Sequence, residues 1–188
     1  MKLSHERLTK IAPPPIHPVA PGSPAGWDQI EAEIGIRLPE DFKDYIGVYG
    51  AGQWANFFGV INPFYEWKHP PTKRSWRKWM QDRLEFLDEW QEKHAGDVAP
   101  FRCYPAPGGL LAFGYDDCGG TLCWKTVGEV DSWSIICLDA EFSKQFDRFD
   151  MSLTTFLAEL LTAKICPRTF PEDFSPLRKT MFRPYTDE

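Results

Sequence analysis

The stretch GLLAFGYDDCGGTLCWKTVGEVDSWSIICLD, residues 109–139, decides the fold class of this chain. It contains three apolar runs, GLLAFGY, TLCWKT and SWSIICLD, whose aromatic and branched residues predict strands. The spacers DDCGG and VGEVD have the length and composition of hairpin turns, so the strands should form an antiparallel meander. Apolar residues occupy both alternating positions of the first and third runs, as in strands covered on both faces. We therefore expect an α+β fold, with a central antiparallel-rich sheet flanked by helices.

The DDCGG spacer could be a turn, or part of a metal or thiol site. A structural zinc site needs four ligands, usually as two close pairs, but Cys118 and Cys123 have no second pair and the four histidines are isolated. Gly119 and Gly120 supply the positive φ angles of a turn, and the neighbouring carboxylates can accept hydrogen bonds from turn amides. We predict a hairpin turn, no metal, no cofactor and no catalytic residue. An enzyme remains the alternative if folding brings a histidine beside a thiol.

Four further segments show helical periodicity. In SPAGWDQIEAEIG, Ser23 suits the N-cap, Pro24 the first helical position and Gly35 the end of the helix. A second helix starts at Pro39 and ends before Gly50. The predicted helices cover residues 24–34, 39–49, 72–94 and 152–165. Together with the strands they bury a core for which we name Trp27, Phe42, Trp124 and Leu157.

The longest predicted helix has an apolar stripe that runs from Trp76 to His94. We expect His94 to be a hydrogen-bonded core residue. Arg83 lies at the centre of the same stripe, where it either extends to solvent or pairs with a buried carboxylate. The opposite face is acidic.

The remaining segments are assigned by composition. The run QWANFFGVI, residues 53–61, is typical of a single strand. Residues 1–22 are expected to form a Pro-rich lead-in with an extended segment, and residues 23–166 the domain itself. Residues 167–188 hold too much proline for regular structure, but their phenylalanines can pack the tail onto the domain.

The overall charge restricts the possible partners. A net charge of −6 argues against direct binding of nucleic acid, which needs clustered Lys and Arg, and favours a basic protein partner. The sequence contains no run of 18 apolar residues and no apolar leader near its start, so we expect neither a membrane span nor export. Five scattered cysteines, an odd number, fit reduced thiols and a cytoplasmic location.

Acidic residues of the long helix and of the two hairpin loops are the candidate partner-binding residues. Loops on a rigid scaffold commonly carry recognition, although an acidic helix face is more often merely solvated. The candidates are Asp82, Glu85, Glu89, Glu92, Asp116, Asp117, Glu129 and Asp131.

Several motifs resemble the SUKH superfamily, which includes fungal cell-wall-assembly regulators and many bacterial immunity proteins. The resemblance starts with WDQIEAEIGIRLPEDFKDY, residues 27–45, and continues with YGAGQW, INPF, LLAFGYDDCGGTLCWKTVG and FDMSLTTFLAELL. It covers residues 23–165. The Trp-rich helix and the Pro-rich start depart from the family pattern, so neither inherits a family role.

This resemblance implies a binding protein, since no catalytic constellation is shared across the superfamily. In bacteria the usual role is to neutralise a cognate polymorphic toxin, often a nuclease or deaminase, by covering its active surface. The alternative is a regulatory scaffold of the cell-wall-assembly type, which binds a housekeeping partner. The acidic composition is compatible with a basic partner in either case.

We predict that all five cysteines are reduced in the isolated protein and that none holds a metal. Titration with a thiol reagent after denaturation without reductant should find five thiols, and elemental analysis should find no stoichiometric zinc. Fewer thiols, or one zinc per chain, would contradict this interpretation.

Overall fold

A computed structural model describes residues 3–66, 75–94, 96, 98–171, 174 and 182–186. Within them lie five α-helices: α1 Leu3–Ile11, α2 Pro24–Ile34, α3 Glu40–Tyr49, α4 Trp76–Lys93 and α5 Leu153–Leu161. Their strands are β1 Gly52–Trp54, β2 Phe58–Val60, β3 Leu110–Asp116, β4 Thr121–Lys125, β5 Ser134–Leu138, β6 Asp147–Phe149 and β7 Phe182–Pro184. A short 3-10 helix, Val130–Ser132, lies between β4 and β5.

The strands form one sheet in the order β6-β5-β4-β3-β2-β1-β7, and every neighbouring pair is antiparallel. The predicted meander is its centre, where Leu111 pairs with Trp124, and Trp124 with Ile135. The predicted α+β class is therefore confirmed. The four residues named for the core, Trp27, Phe42, Trp124 and Leu157, are all buried.

Helices cover the two faces of the sheet unequally. The ring of Trp124 contacts Phe42 of α3, and Phe149, on the same face two strands away, contacts Phe156 of α5. Trp27 of α2 also packs on Phe42, so α2, α3 and α5 share this face. Residues of a strand alternate between faces, so Thr121, which α4 contacts, lies on the other face. Among the described helices, α4 alone covers that second face.

The predicted first helix is confirmed at both ends. The Ser23 side chain accepts a hydrogen bond from the Gly26 amide at 3.2 Å, and Gly35 has a left-handed φ of 75°. A φ of this sign is unfavourable for residues with a Cβ atom, which is why glycine ends α2. The local sequence was therefore sufficient to predict both ends of α2.

The helices α3 and α5 are capped by residues distant in sequence. Pro39, which precedes α3, makes no side-chain cap, and Asp131 accepts the Glu40 amide at 2.8 Å instead. Ser152 precedes α5 as predicted but makes no cap bond to it. Asp41 provides that cap: its carboxylate accepts the Thr154 amide at 2.8 Å and the Thr154 hydroxyl at 2.7 Å.

Asp41 also contacts α1. His5 is only 1% exposed, and its Nε2 lies 3.4 Å from Asp41 Oδ1. Burial by itself would raise the pKa of Asp41, but the contact with His5 and the two bonds from Thr154 outweigh burial, so this pKa lies below its ordinary value. One carboxylate thus connects α1, α3 and α5.

Three predictions of local structure were wrong. The run 53–61 is a hairpin rather than one strand, because Ala55 and Asn56 adopt positive φ and reverse the chain between β1 and β2. Residues 3–11 form a helix, although the sequence analysis expected only a lead-in. His94 is exposed, because it lies at the end of α4 where the ring stacks on Trp90 and no core covers it.

Three phenylalanines of the C-terminal segment pack on the domain. Phe170 and Phe174 contact Phe57, and Phe182 contacts Tyr49 and Trp54. The difference from expectation is that residues 182–184 form a strand. A strand that ends in proline is tolerated here because β7 lies at the edge of the sheet. The predicted start of the long helix, residues 72–74, lies outside the described residues.

We predict that Asp41→Ala destabilises the fold by about 2 to 4 kcal/mol at pH 7, since it removes a helix cap and leaves the buried Thr154 hydroxyl without its acceptor. The lowered pKa means that this stabilisation is present above the ordinary carboxyl pKa of about 4 and is lost as the pH falls through the folded-state value. Urea denaturation at pH 7 and pH 3 should therefore show a smaller difference between variant and parent at pH 3.

Asp44→Ala is the matched control, because Asp44 is also near His5, at 3.8 Å, but is exposed and caps no helix. It should change the free energy of unfolding by about 0.5 kcal/mol or less. An equal loss in both variants would contradict the assigned role of Asp41.

Candidate partner-binding surface

The helix α4 separates a buried side from an exposed one. Ser75 accepts the Lys78 amide at 3.3 Å and so caps its start. Large apolar residues then recur at helical spacing and bury the inner side: Trp76, Trp79, Met80, Leu84 and Leu87. Because α4 is the only described helix on its face of the sheet, its outer side is open to solvent.

Arg83 fastens α4 to the turn between β3 and β4. Its Nε donates to Thr121 Oγ1 at 3.1 Å, and its guanidinium donates to the Gly119 carbonyl. Burial lowers the pKa of Arg83, whereas the nearby Asp116 carboxylate favours the charged form. The guanidinium also lies 5.8 Å from the centre of the Phe142 ring. Arg83 is therefore partly buried and bonded to a hydroxyl and a carbonyl, and the predicted pairing with a buried carboxylate is not found among the described residues.

Asp116 was named as a candidate partner-binding residue, but it is buried and not part of an exposed surface. The residue is 3% exposed, and its Oδ1 accepts the amides of Cys118 and Gly120, both at 2.9 Å. Burial raises its pKa above the ordinary value, although the two amides act against this shift. The carboxylate holds the predicted turn from inside, which confirms DDCGG as a turn.

The four predicted acidic residues of α4, which also contains Asp88, are accessible but not equivalent. Asp82 pairs with Lys78 at 2.5 Å, and Glu89 with Lys93 at 3.7 Å, one helical turn away in each case. Glu85 and Glu92 are exposed and have no ion pair within the part of the chain that the structure describes. Together with Asp88, which is also exposed and has no ion pair among the described residues, they give α4 an excess of negative charge.

Aromatic rings border the acidic face. Phe86 is 40% exposed and packs on Trp90, with ring centres 5.5 Å apart, and Trp90 in turn packs on His94 at 4.2 Å. Phe142, from the loop after β5, packs against Phe86, with ring centres 5.7 Å apart. Partly exposed aromatic rings beside charges are typical of contact surfaces between proteins. Sequence analysis missed Phe86, although its spacing of four residues from Trp90 was a usable signal.

The two acidic loops lie at opposite ends of the sheet. Asp117 is in the β3–β4 turn, where its carboxylate accepts the Gln53 side-chain amide at 3.0 Å. Glu129 and Asp131 follow β4, whose five residues place them about 16 Å further along the strand. Asp131 caps α3 as described. The eight predicted residues therefore do not make one continuous patch.

A cavity of about 380 Å³, the α4 pocket, lies between α4, the end of α2 and the loop at residues 103–105. Its lining mixes apolar and charged side chains: Glu33, Ile34, Arg77, Met80, Gln81, Leu84, Glu85, Asp88, Cys103, Tyr104 and Pro105. Glu85 thus belongs both to the acidic face and to this pocket.

Three of the five thiols are buried, which does not suit nucleophilic chemistry. Cys103, Cys123 and Cys137 are buried, and burial raises the pKa of each, to about 12 for Cys123. The exposed thiols are those of Cys118 and Cys166. No group of three potential metal ligands occurs among the described residues, and no helix in that part of the chain has the length and apolar composition of a membrane span.

Comparison with known proteins identifies the family. The SUKH_6 family model, described as SMI1-KNR4 cell-wall, matches residues 25–157. The chain belongs to the SUKH superfamily. No curated protein and no solved structure matches it. The matched part of this SUKH domain runs from α2 into α5 and includes α4, whereas α1 and β7 lie outside it.

We predict that Asp131 acts on stability through its cap. Asp131→Ala should lower the free energy of unfolding by about 1 kcal/mol, because the Glu40 amide loses its acceptor. Glu129→Ala, two residues away and equally acidic, should stay within about 0.5 kcal/mol of the parent. Urea denaturation monitored by circular dichroism measures both. Equal stability of the two variants would contradict the capping role.

Proposed function

We propose that this SUKH domain is a non-catalytic binding protein that neutralises a basic toxin by covering its active surface with the outer face of α4. The observation that carries the proposal is the exposed side of α4, where Glu85 and Glu92 lie beside the aromatic pair Phe86 and Trp90. Charges of one sign select and orient a partner, and adjacent rings supply the apolar contact that keeps it bound.

The charge of this face indicates which class of toxin it fits. Nucleases and nucleic-acid deaminases hold phosphate groups with Lys and Arg, so their substrate clefts are basic. An acidic face can occupy such a cleft, and the net charge of −6 accelerates the encounter. The toxin role itself comes from the family, whose bacterial members include immunity proteins. With this role we propose a cytoplasmic location, where such toxins act.

A second candidate is a regulatory scaffold of the cell-wall-assembly type. The matching family model carries a cell-wall description, and this favours a housekeeping partner. The same face of α4 would then bind a cellular protein rather than a toxin. Both candidates are binding functions, which agrees with a family that is generally non-catalytic.

Reversing charge on α4 should slow association with the partner. We predict that Glu89→Lys combined with Glu92→Lys lowers the association rate about ten-fold at low salt, and that the difference shrinks as salt is added. The control combines Asp28→Lys and Glu66→Lys, which reverse two exposed charges that are not part of α4. Surface plasmon resonance with the captured partner measures the rates, after both proteins are shown to melt near the parent.

The partner is obtained by affinity capture from the native host at low salt, with mass spectrometry. A basic nuclease or deaminase whose activity stops at a 1:1 ratio supports the immunity role. A protein of cell-wall synthesis, captured by the parent but not by the α4 variant, supports the scaffold role. Equal rates for parent, α4 variant and control would place the interface elsewhere.

A further inference from the structure

We propose that the α4 pocket binds one arginine or lysine side chain of the partner protein. This inference rests on the proposed binding function and adds to it a specific acceptor for a cation. The volume of the pocket, about 380 Å³, falls within the range of protein ligand sites.

The walls of the pocket suit the aliphatic part of such a side chain. Met80 and Leu84 of α4 form one wall, and Tyr104 and Pro105 the other. The Tyr104 hydroxyl donates to the Ile34 carbonyl at 2.8 Å, so the loop is fastened to the end of α2 and the pocket is formed in advance. Lysine and arginine characteristically bury their methylene groups on such surfaces and keep the charge at the rim.

The rim provides the negative charge. Glu33, Glu85 and Asp88 line the pocket, against a single cation, Arg77. Glu85 and Asp88 have no ion pair with any described residue, and Glu33 accepts only the Gln29 amide, at 2.9 Å. Three carboxylates and one cation therefore line the pocket, and an added cation that enters it is attracted by the excess of negative charge.

The chemistry of the pocket favours an organic cation over a metal ion. No three acidic, histidine or cysteine side chains of the described residues come close enough to coordinate one ion. The Cys103 thiol in the lining stays protonated, because burial and then the nearby Asp88 raise its pKa. A guanidinium has five donors in a planar fork and can reach carboxylates that are too far apart for a metal.

Titration with a small probe tests the pocket without the partner. N-acetyl-arginine amide is added to the ¹⁵N-labelled protein at low salt, and N-acetyl-citrulline amide, its uncharged analogue, serves as the reference ligand. We expect saturable shifts of the amide resonances at residues 80–88 and 103–105 with the arginine probe. Binding of the citrulline probe should be at least about five-fold weaker, because it lacks the charge.

Two matched variants separate the pocket from general surface charge. Glu85→Gln and Glu92→Gln each remove one unpaired, exposed carboxylate from α4, but only Glu85 lines the pocket. Glu85→Gln should lower the affinity for the arginine probe about two- to five-fold, and Glu92→Gln should leave that affinity unchanged. Gln81→Trp, at the exposed rim, should block the pocket without altering any charge.

Shifts spread evenly over the acidic surface, equal binding of both probes, or equal weakening by the two glutamine variants would overturn the proposal. None of these results depends on the identity of the partner. If the arginine probe does not bind the pocket but reversal of charge on α4 still lowers the association rate of the partner, the proposed function stands without the pocket. If the pocket binds the probe but α4 charge reversal has no effect on the partner, the proposed function fails instead.

Discussion

The buried carboxylate of Asp41 is the interaction on which the helical layer depends. It lies in α3, accepts the amide and hydroxyl of Thr154 at the start of α5, and contacts His5 of α1. A buried charge is tolerated only when its lone pairs are used, and this arrangement uses them on three helices at once. Because α3 and α5 pack on the Trp124 face of the sheet, the same contact fixes that whole face.

The opposite face has a different construction, and this difference creates the candidate surface. One helix, α4, covers it among the described helices, and Arg83 fastens that helix to the β3–β4 turn. A helix that covers a sheet face without a further layer over it exposes its outer side to solvent. The acidic and aromatic outer side of α4, with the pocket beside it, is therefore accessible because one described helix covers this face.

Acidic residues in this protein serve two purposes that look identical in sequence. Asp41 and Asp131 cap helices, and Asp116 holds a turn, so their carboxylates are occupied by backbone amides. Glu85 and Glu92 have no such partner among the described residues and remain available to a basic protein. The net charge of −6 counts both kinds of carboxylate, so it does not show which of them are free.

The sequence by itself determined the meander, the family and the ends of α2, because turn glycines, strand composition and a Ser–Pro helix start act over a few residues. It could not determine the hairpin at residues 53–61, which needs two non-glycine residues at positive φ. The burial of Asp116 and the separation of the acidic loops were likewise decided by tertiary structure. Hydrogen bonds to distant amides and the geometry of an antiparallel sheet have no local signature, so only the folded chain shows which charges face solvent.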